Sequence, residues 1–501
     1  MIDTIVANAK IVTARDVIHG CIAIDGGRIQ EIGPEYSMPK ARRVIDAGER
    51  FVIPGLVDPH VHYGLYGSTS FLDQCKRDWR PDSVGAAFGG VTTVMPMLMS
   101  LTAYSPMARN LIGWGDANSA VDYAFTVIVH NEKHMNDMKQ LFDMGVTAFK
   151  HFFTAFKGKE GEQINVAGVD EGYFYRSLEK IRDLGAPAIA MCHSEDCELY
   201  NVFIARLRAQ GRDGLQAWND ARPPFTESVR IEMASKLAYE ANAPLYFVHL
   251  SCGESILTVQ KYKNLGTRLA AEAVIHTLTV SCEQHNEVGI WGKFVPPLRP
   301  WKEIDNMWRG IRAGVFDTIA TDHCTYTFED KTRGQHKTKG SVWDIPPGIS
   351  NVQEHWLPVL WTDGVKTGRI TVNELVRLCS ENAARTFGLY PRKGTLMPGA
   401  DADLVIVDDT TAHVVDQKFY HGKDPRLSIY AGRKLTGRPK LTMLRGKVIM
   451  ADGKYVGRHG DGRFVPARLG VFTEGAFKAP AKARRRVGEA TAPRPRSLKA
   501  G

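Results

Sequence analysis

Five short apolar runs, widely separated in the chain, each end in a group that can bind a metal ion or carry a proton. They are Val52-Ile-Pro-Gly-Leu-Val-Asp-Pro-His60-Val-His62, Val146-Thr-Ala-Phe-Lys150, Pro187-Ala-Ile-Ala-Met-Cys-His193, Pro244-Leu-Tyr-Phe-Val-His249 and Phe316-Asp-Thr-Ile-Ala-Thr-Asp322. Each has the length and apolarity of a strand buried on both faces, and the gaps between them are long enough for returning helices. This pattern predicts an α/β fold, a (β/α)₈ TIM-type barrel, whose active sites collect at the C-terminal ends of the strands. His60 and His62 are two residues apart, so on a strand they share one face. A lone His-x-His pair, or one buried lysine, reads equally well as ordinary core. Six such groups at five strand ends do not, because uncompensated buried charge is costly.

The 501 residues allow one large domain with smaller attachments, and 44% hydrophobic with 24% charged residues is ordinary for a globular chain. No run of 18 apolar residues occurs, so no membrane span and no membrane partner are expected. The N-terminus has neither a basic region nor an apolar one of the secretory type. Eight cysteines are scattered without a Cys-x-x-Cys pair, which predicts reduced thiols in a cytoplasmic protein. The net charge of +9 raises the question of nucleic acid. From 471 to 501, however, eight Lys/Arg face two Asp/Glu, a net of +6, which leaves +3 for the 470 residues before it. The excess therefore belongs to a basic tail, 466–501, expected to be disordered, and a nucleic-acid partner is not expected.

Residues 1–52 read as short strands, with Asp25-Gly-Gly-Arg28 as a hairpin turn. Further strands at 403–408, 441–444 and 447–450 lie past the barrel. The expected organisation is a small β-sandwich from both chain ends (1–52 and 397–465) flanking a barrel at 53–396. Strands are also expected at 90–95, 124–129 and 269–272, and helices at 83–89, 131–144, 228–240 and 372–381.

Chemically, His60, His62 and Asp322 suit one divalent metal ion, and His193 with His249 a second. A lysine among them is anomalous as an ammonium. Beside two cations it loses its proton, and the amine of Lys150 can add carbon dioxide to form an anionic carbamate serving both ions. Two such ions can share a hydroxide of lowered pKa, a nucleophile suited to an amide carbonyl. Zinc is the natural metal for these imidazole and carboxylate ligands. Asp322 is the candidate to pass the proton to the leaving nitrogen.

These stretches, with His193-Ser-Glu195, His249-Leu-Ser251, Thr321-Asp-His-Cys324, Pro296-Pro-Leu-Arg299, Asn382-Ala-Ala-Arg385, Pro398-Gly-Ala-Asp-Ala-Asp403 and Ile429-Tyr-Ala-Gly432, resemble the cyclic amidohydrolases, most closely the dihydropyrimidinase/hydantoinase group. The resemblance covers residues 1 to about 465. It implies a binuclear centre on a carboxylated Lys150, hydrolysis of a small-molecule cyclic amide, and a homo-oligomer, tetramer or dimer. It also implies that the segments around Tyr66, Phe156, Val295, Arg299 and Pro347 hold substrate. Three of these positions depart from the group. A tyrosine expected shortly after the metal lysine, donor to the oxyanion, is replaced near Phe156. Val295 stands for the usual serine, and Pro347 for the usual asparagine. A missing oxyanion donor costs about 10²–10³ in rate in other enzymes. Tyr63, Tyr66, His151 and Tyr326 are candidates to replace it. The rebuilt pocket leaves room for a different cyclic imide or ureide, or an acyclic amide. A non-catalytic scaffold related to the group is the competing class.

Overall fold

The computed structural model describes residues 1–64, 71–155, 168–332, 340–416, 418 and 420–468. Eight parallel strands make the barrel. In pairing order they are Leu56–His62, Val91–Leu98, Thr126–Ile128, Ala148–Phe153, Ile189–Ser194, Leu245–Phe247, Leu269–Val274 and Thr318–Ala320. The ring closes through its last strand. Thr318–Ala320 pairs with Leu269–Val274, and two residues later His323–Cys324 pairs with Leu56–His62. Thr321 and Asp322 occupy this seam, with Asp322 at φ +46°. Every residue of the first, second, fourth and fifth strands is buried, which is why these segments read as unbroken apolar runs rather than alternating ones.

Helices return the chain between strands as expected. Glu132–Met144 is capped at its start by the Asn131 side chain, which accepts from the His134 N–H, and stopped by Gly145 in the left-handed region. The helix expected at 83–89 is longer, Phe71–Phe88, and that at 228–240 runs over Pro224–Ala241. The first apolar run is two elements. Val52–Pro54 ends the long strand Ala41–Pro54 of the flanking sheet, and the barrel strand starts at Leu56. Gly55 is the joint, where a Cβ would lie 2.1 Å from Thr92 Oγ1, so only glycine fits.

The flanking part is one eight-stranded sheet built from both chain ends. Strands at 2–12, 17–25, 28–33 and 41–54 join those at 404–408, 438–444, 447–451 and 454–455. The sheet doubles over. Its hairpin at 25–28 meets the approach to 404–408, with Ala402 N–H donating to Gly27 O at 2.9 Å and Ile29 N–H to Ala400 O at 3.0 Å. The two halves of the expected sandwich are thus continuous and enclose one apolar core that includes Val6, Ile22, Ile29, Leu404, Ile406 and Met443. A buried lysine ties this part to the barrel. Lys393 Nζ donates to Asp403 at 2.7 Å and to Asp122, and lies 3.0 Å from Asp401. The described chain continues past 465, with Ala467 N–H donating to Gly145 O and Arg468 N–H to Gly388 O. Residues 469–501, most of the expected tail, lie outside the described residues.

Candidate active site

All six candidate ligands are buried and meet at the C-terminal end of the barrel. His60 Nε2 and His62 Nε2 lie 3.3 and 3.2 Å from Asp322 Oδ1. Period-two alternation brings the two imidazoles to one side, and the seam in the last strand turns Asp322 inward to meet them. His193 Nδ1 and His249 Nε2 face each other at 2.9 Å, and His249 Nε2 is 4.0 Å from Asp322 Oδ2. Lys150 Nζ has no hydrogen bond or ion pair among the described residues; the ring of Phe152, two residues on, lies 5.4 Å away.

Burial lowers the basicity of His62, His193 and His249, the last strongly, so their nitrogens offer lone pairs instead of protons. Burial works against the Asp322 carboxylate, but His60, His62 and His249 outweigh it and hold Asp322 well below the usual carboxylate range. Burial pulls Lys150 down to about 8. Neutral imidazoles, an ionised carboxylate and an easily deprotonated amine are the protonation states that metal binding requires.

The residues fit a divalent ion. Nitrogen and oxygen donors of His60, His62 and Asp322 all lie within 4.8 Å of one another, and His60 Nε2 is buried without a hydrogen-bond partner. A second acidic group, Asp122, Asp401 and Asp403, has comparable spacing, but the Lys393 ammonium already occupies its centre.

Glu272, on the seventh strand, was not singled out in the sequence, although it too is a titratable group near a strand end. It is fully buried and accepts from His60 Nδ1 at 2.7 Å, from the His249 backbone N–H at 2.9 Å and from the Tyr246 hydroxyl at 2.7 Å. A carboxylate only accepts, so the His60 proton is on Nδ1 and its Nε2 lone pair points at the site. Glu195 acts similarly on His193, whose Nε2 lies 3.1 Å from Glu195 Oε2; the same oxygen accepts from Arg222 at 3.1 Å. Beneath the centre, Asp58 accepts from Thr321 Oγ1 at 2.6 Å and Gln353 Nε2 at 2.8 Å, which clips the seam to the strand bearing His60 and His62.

The expected substrate contacts have other partners within the fold. Arg299 is one. It is buried and donates to Ser251 Oγ, Glu227, Asn219 and Arg222 O, bracing the loop after His249 against the neighbouring helix. Tyr63 gives its proton to Gln353 at 2.9 Å, and Tyr326 gives its own to Pro347 O at 2.7 Å. His151 follows the inward Lys150 and so faces outward, with Nε2 2.8 Å from Ser177 Oγ on the helix behind. Each of these three has a partner within the protein. Tyr66 and Phe156 lie outside the described residues. At Pro347 the backbone is satisfied internally: Gly348 N–H donates to Lys293 O at 3.0 Å, and Ile345 O accepts from Lys293 Nζ at 2.6 Å. Beside Val295, the ring of Phe294 stands edge-on to His249 at 5.9 Å, and Phe152 lies 5.5 Å from the His193 ring. These two phenyl groups are walls of the site that the sequence reading did not name.

Comparison with known proteins agrees with this geometry. Residues 234–449 match the model of the amidohydrolase family. The chain is 33% identical over 475 residues to a D-hydantoinase of Ralstonia pickettii, covering 93% of this chain and 99% of that one. It is 28% identical to an L-hydantoinase of Paenarthrobacter aurescens, covering 93% and 99%. Among solved structures, a D-hydantoinase (dihydropyrimidinase) from Thermus sp. superposes with a TM-score of 0.83 at 29% identity, over 93% of this chain and 99% of that one. The family match and the two converging ligand groups together support a binuclear divalent metal centre. This barrel, with its buried histidines, lysine and aspartate, belongs to the cyclic amidohydrolases, in their hydantoinase group.

Proposed function

We propose that this protein hydrolyses a ring C–N bond in a small cyclic amide, a hydantoin, dihydropyrimidine or related imide. The observation that carries the reading is the convergence of His60, His62 and Asp322 beside the facing pair His193 and His249, with Lys150, which has no hydrogen bond or ion pair among the described residues, on the strand between them. Two divalent ions, zinc for this ligand set, supply a Lewis acid and a water of lowered pKa when bound. His60, His62 and Asp322 would hold one ion, and His193 and His249 the other. Lys150, an amine in part at neutral pH because of its burial, could add carbon dioxide with loss of a proton, and the resulting carbamate would offer the metal site one negative charge shared over two oxygens. Asp322, ionised by its imidazole neighbours, accepts a proton on its carboxylate and returns it to the leaving ring nitrogen. Glu272 and Glu195 keep His60 and His193 turned toward the ions. The walls of Phe152 and Phe294 favour a flat ring with an apolar edge. The scaffold alternative is disfavoured by six buried ligands, since an inactive relative has no reason to retain them.

All eight cysteines are buried and no disulfide joins them among the described residues, which supports work in a reducing cytoplasm. No described helix is long and apolar enough to cross a membrane. A homo-oligomer, dimer or tetramer, is supported by an exposed stripe at helical spacing on Pro224–Ala241, where Phe225, Val229 and Met233 are each over 40% exposed.

The test is ring opening by the zinc-loaded protein across dihydrouracil, hydantoin, a 5-aryl hydantoin, allantoin, dihydroorotate and a cyclic imide. Turnover of at least one, abolished in Asp322→Ala, is expected. Silence across the panel with two ions bound per chain would refute the substrate class.

A further inference from the structure

With Tyr63, His151 and Tyr326 committed elsewhere, another group at the barrel mouth has hydrogen-bonding capacity to spare. His276 is fully buried, and neither of its ring nitrogens has a hydrogen-bond partner among the described residues. Leaving a buried donor unsatisfied forfeits its hydration without return, so a native protein that keeps one invites a functional explanation.

Its position is that of a site residue. His249 lies two residues beyond the last residue of its strand, Phe247, and Asp322 two beyond Ala320; His276 lies two beyond Val274. On that seventh strand, alternation puts Glu272 inward, in contact with His60 and His249, and His276 lies in the short helix Ile275–Thr279 that leaves the strand end. The ring stands edge-on to Phe294 at 4.1 Å, and Phe294 in turn stands edge-on to His249. Phe294 belongs to the segment that the sequence assigns to substrate holding. Burial pushes His276 down to about 3, against the pull of the nearby Asp322 carboxylate. At neutral pH it is therefore an uncharged imidazole, with one N–H to give and no charge to repel metal ions. His130, equally unpartnered, packs its ring on His134 of the adjacent helix at 4.6 Å and has no such link to the ligands.

We propose that His276 contacts the substrate, donating its ring N–H to the carbonyl oxygen of the ring amide and so supplying the donor that the segment after Lys150 no longer provides. This rests on the cyclic-amide reading above and names its oxyanion donor. It also accounts for the vacant hydrogen-bonding capacity, which substrate satisfies on binding.

The test compares holoenzyme with His276→Leu and His276→Gln. His276→Leu should keep two ions per chain and a Tm equal to or above that of the parent, because it removes an unsatisfied buried group. Its kcat on the ring opened by the parent should fall about 10²–10³-fold, and His276→Gln, which keeps an N–H, should recover part of the loss. A kcat within twofold of the parent in His276→Leu, or a lowered Tm showing a packing role, would overturn the proposal. If the parent opens no ring in the panel, the substrate reading fails by itself. His276 is then judged by binding: a panel compound should raise the Tm of the parent and not of His276→Leu. No shift in the parent, or an equal shift in both, would overturn it as well.

Discussion

Removing the Glu272 carboxylate strands two donors at once, His60 Nδ1 and the His249 backbone N–H, and leaves the Tyr246 hydroxyl with Thr318 Oγ1 alone. Groups that orient metal-binding imidazoles typically contribute 10–100-fold in affinity or activity. Glu272→Ala should therefore lose at least one ion on mild dialysis and about that much in kcat, read by metal analysis beside steady-state kinetics. Lys150 behaves differently with and without metal. Its folded pKa of about 8 lies below a lysine's ordinary 10.5, so folding releases its proton between those values. The metal-free protein then gains stability from this group as pH rises from about 8 toward 10.5, and at pH 7 the buried ammonium is a burden. Lys150→Met should be more thermostable than the parent without metal at pH 7, should lack that rise with pH, and should neither hold two ions nor turn over. A variant that remained fully metallated and active would remove the case for a carbamate.

At the scale of elements, the last barrel strand is cut by Thr321 and Asp322, and Asp58 pins the cut to the first strand. A strand that breaks in order to aim a carboxylate is invisible to periodicity. The run ending at Asp322 was legible as one strand, and the break followed from closing the ring. The Lys393 cluster has the opposite character. Its three aspartates resemble a metal site by spacing alone, and only the ammonium among them shows that they are a joint between barrel and flanking sheet. Lys393→Met removes the central cation from buried carboxylates, leaving Asp403 without one while Asp122 keeps Arg445 and Asp401 keeps Arg392, a change that costs about 3–5 kcal/mol. Denaturant unfolding should show that loss, while the remaining folded protein should keep both ions, because the cluster does not touch the ligands.

At the scale of the whole molecule, the exposed stripe of Phe225, Val229 and Met233 is a surface the fold does not cover. Met233→Glu should lower the solution mass measured by light scattering toward one chain. An unchanged mass of one chain in both proteins would remove the oligomer.

The barrel, the flanking sheet and the six candidate metal ligands that the fold brings together were legible in the sequence for one reason. Strands buried on both faces write themselves as apolar runs, and a charged group at the end of such a run has no reason to be there except chemistry. The direction of Lys150 against His151 was legible too, since alternation alone turns one inward and the other outward. Partners were not legible. Whether Arg299, Tyr63 or Tyr326 faced substrate or protein depended on which acceptors lay across the fold, at Glu227, Gln353 and Pro347. Glu272 and His276 were read as parts of a strand and the loop beyond it. Tertiary structure brought Glu272 to three donors and left His276 with none. Sequence determines which side chains a strand presents. Hydrogen bonding between strands far apart in the chain decides which of those side chains remain free to act.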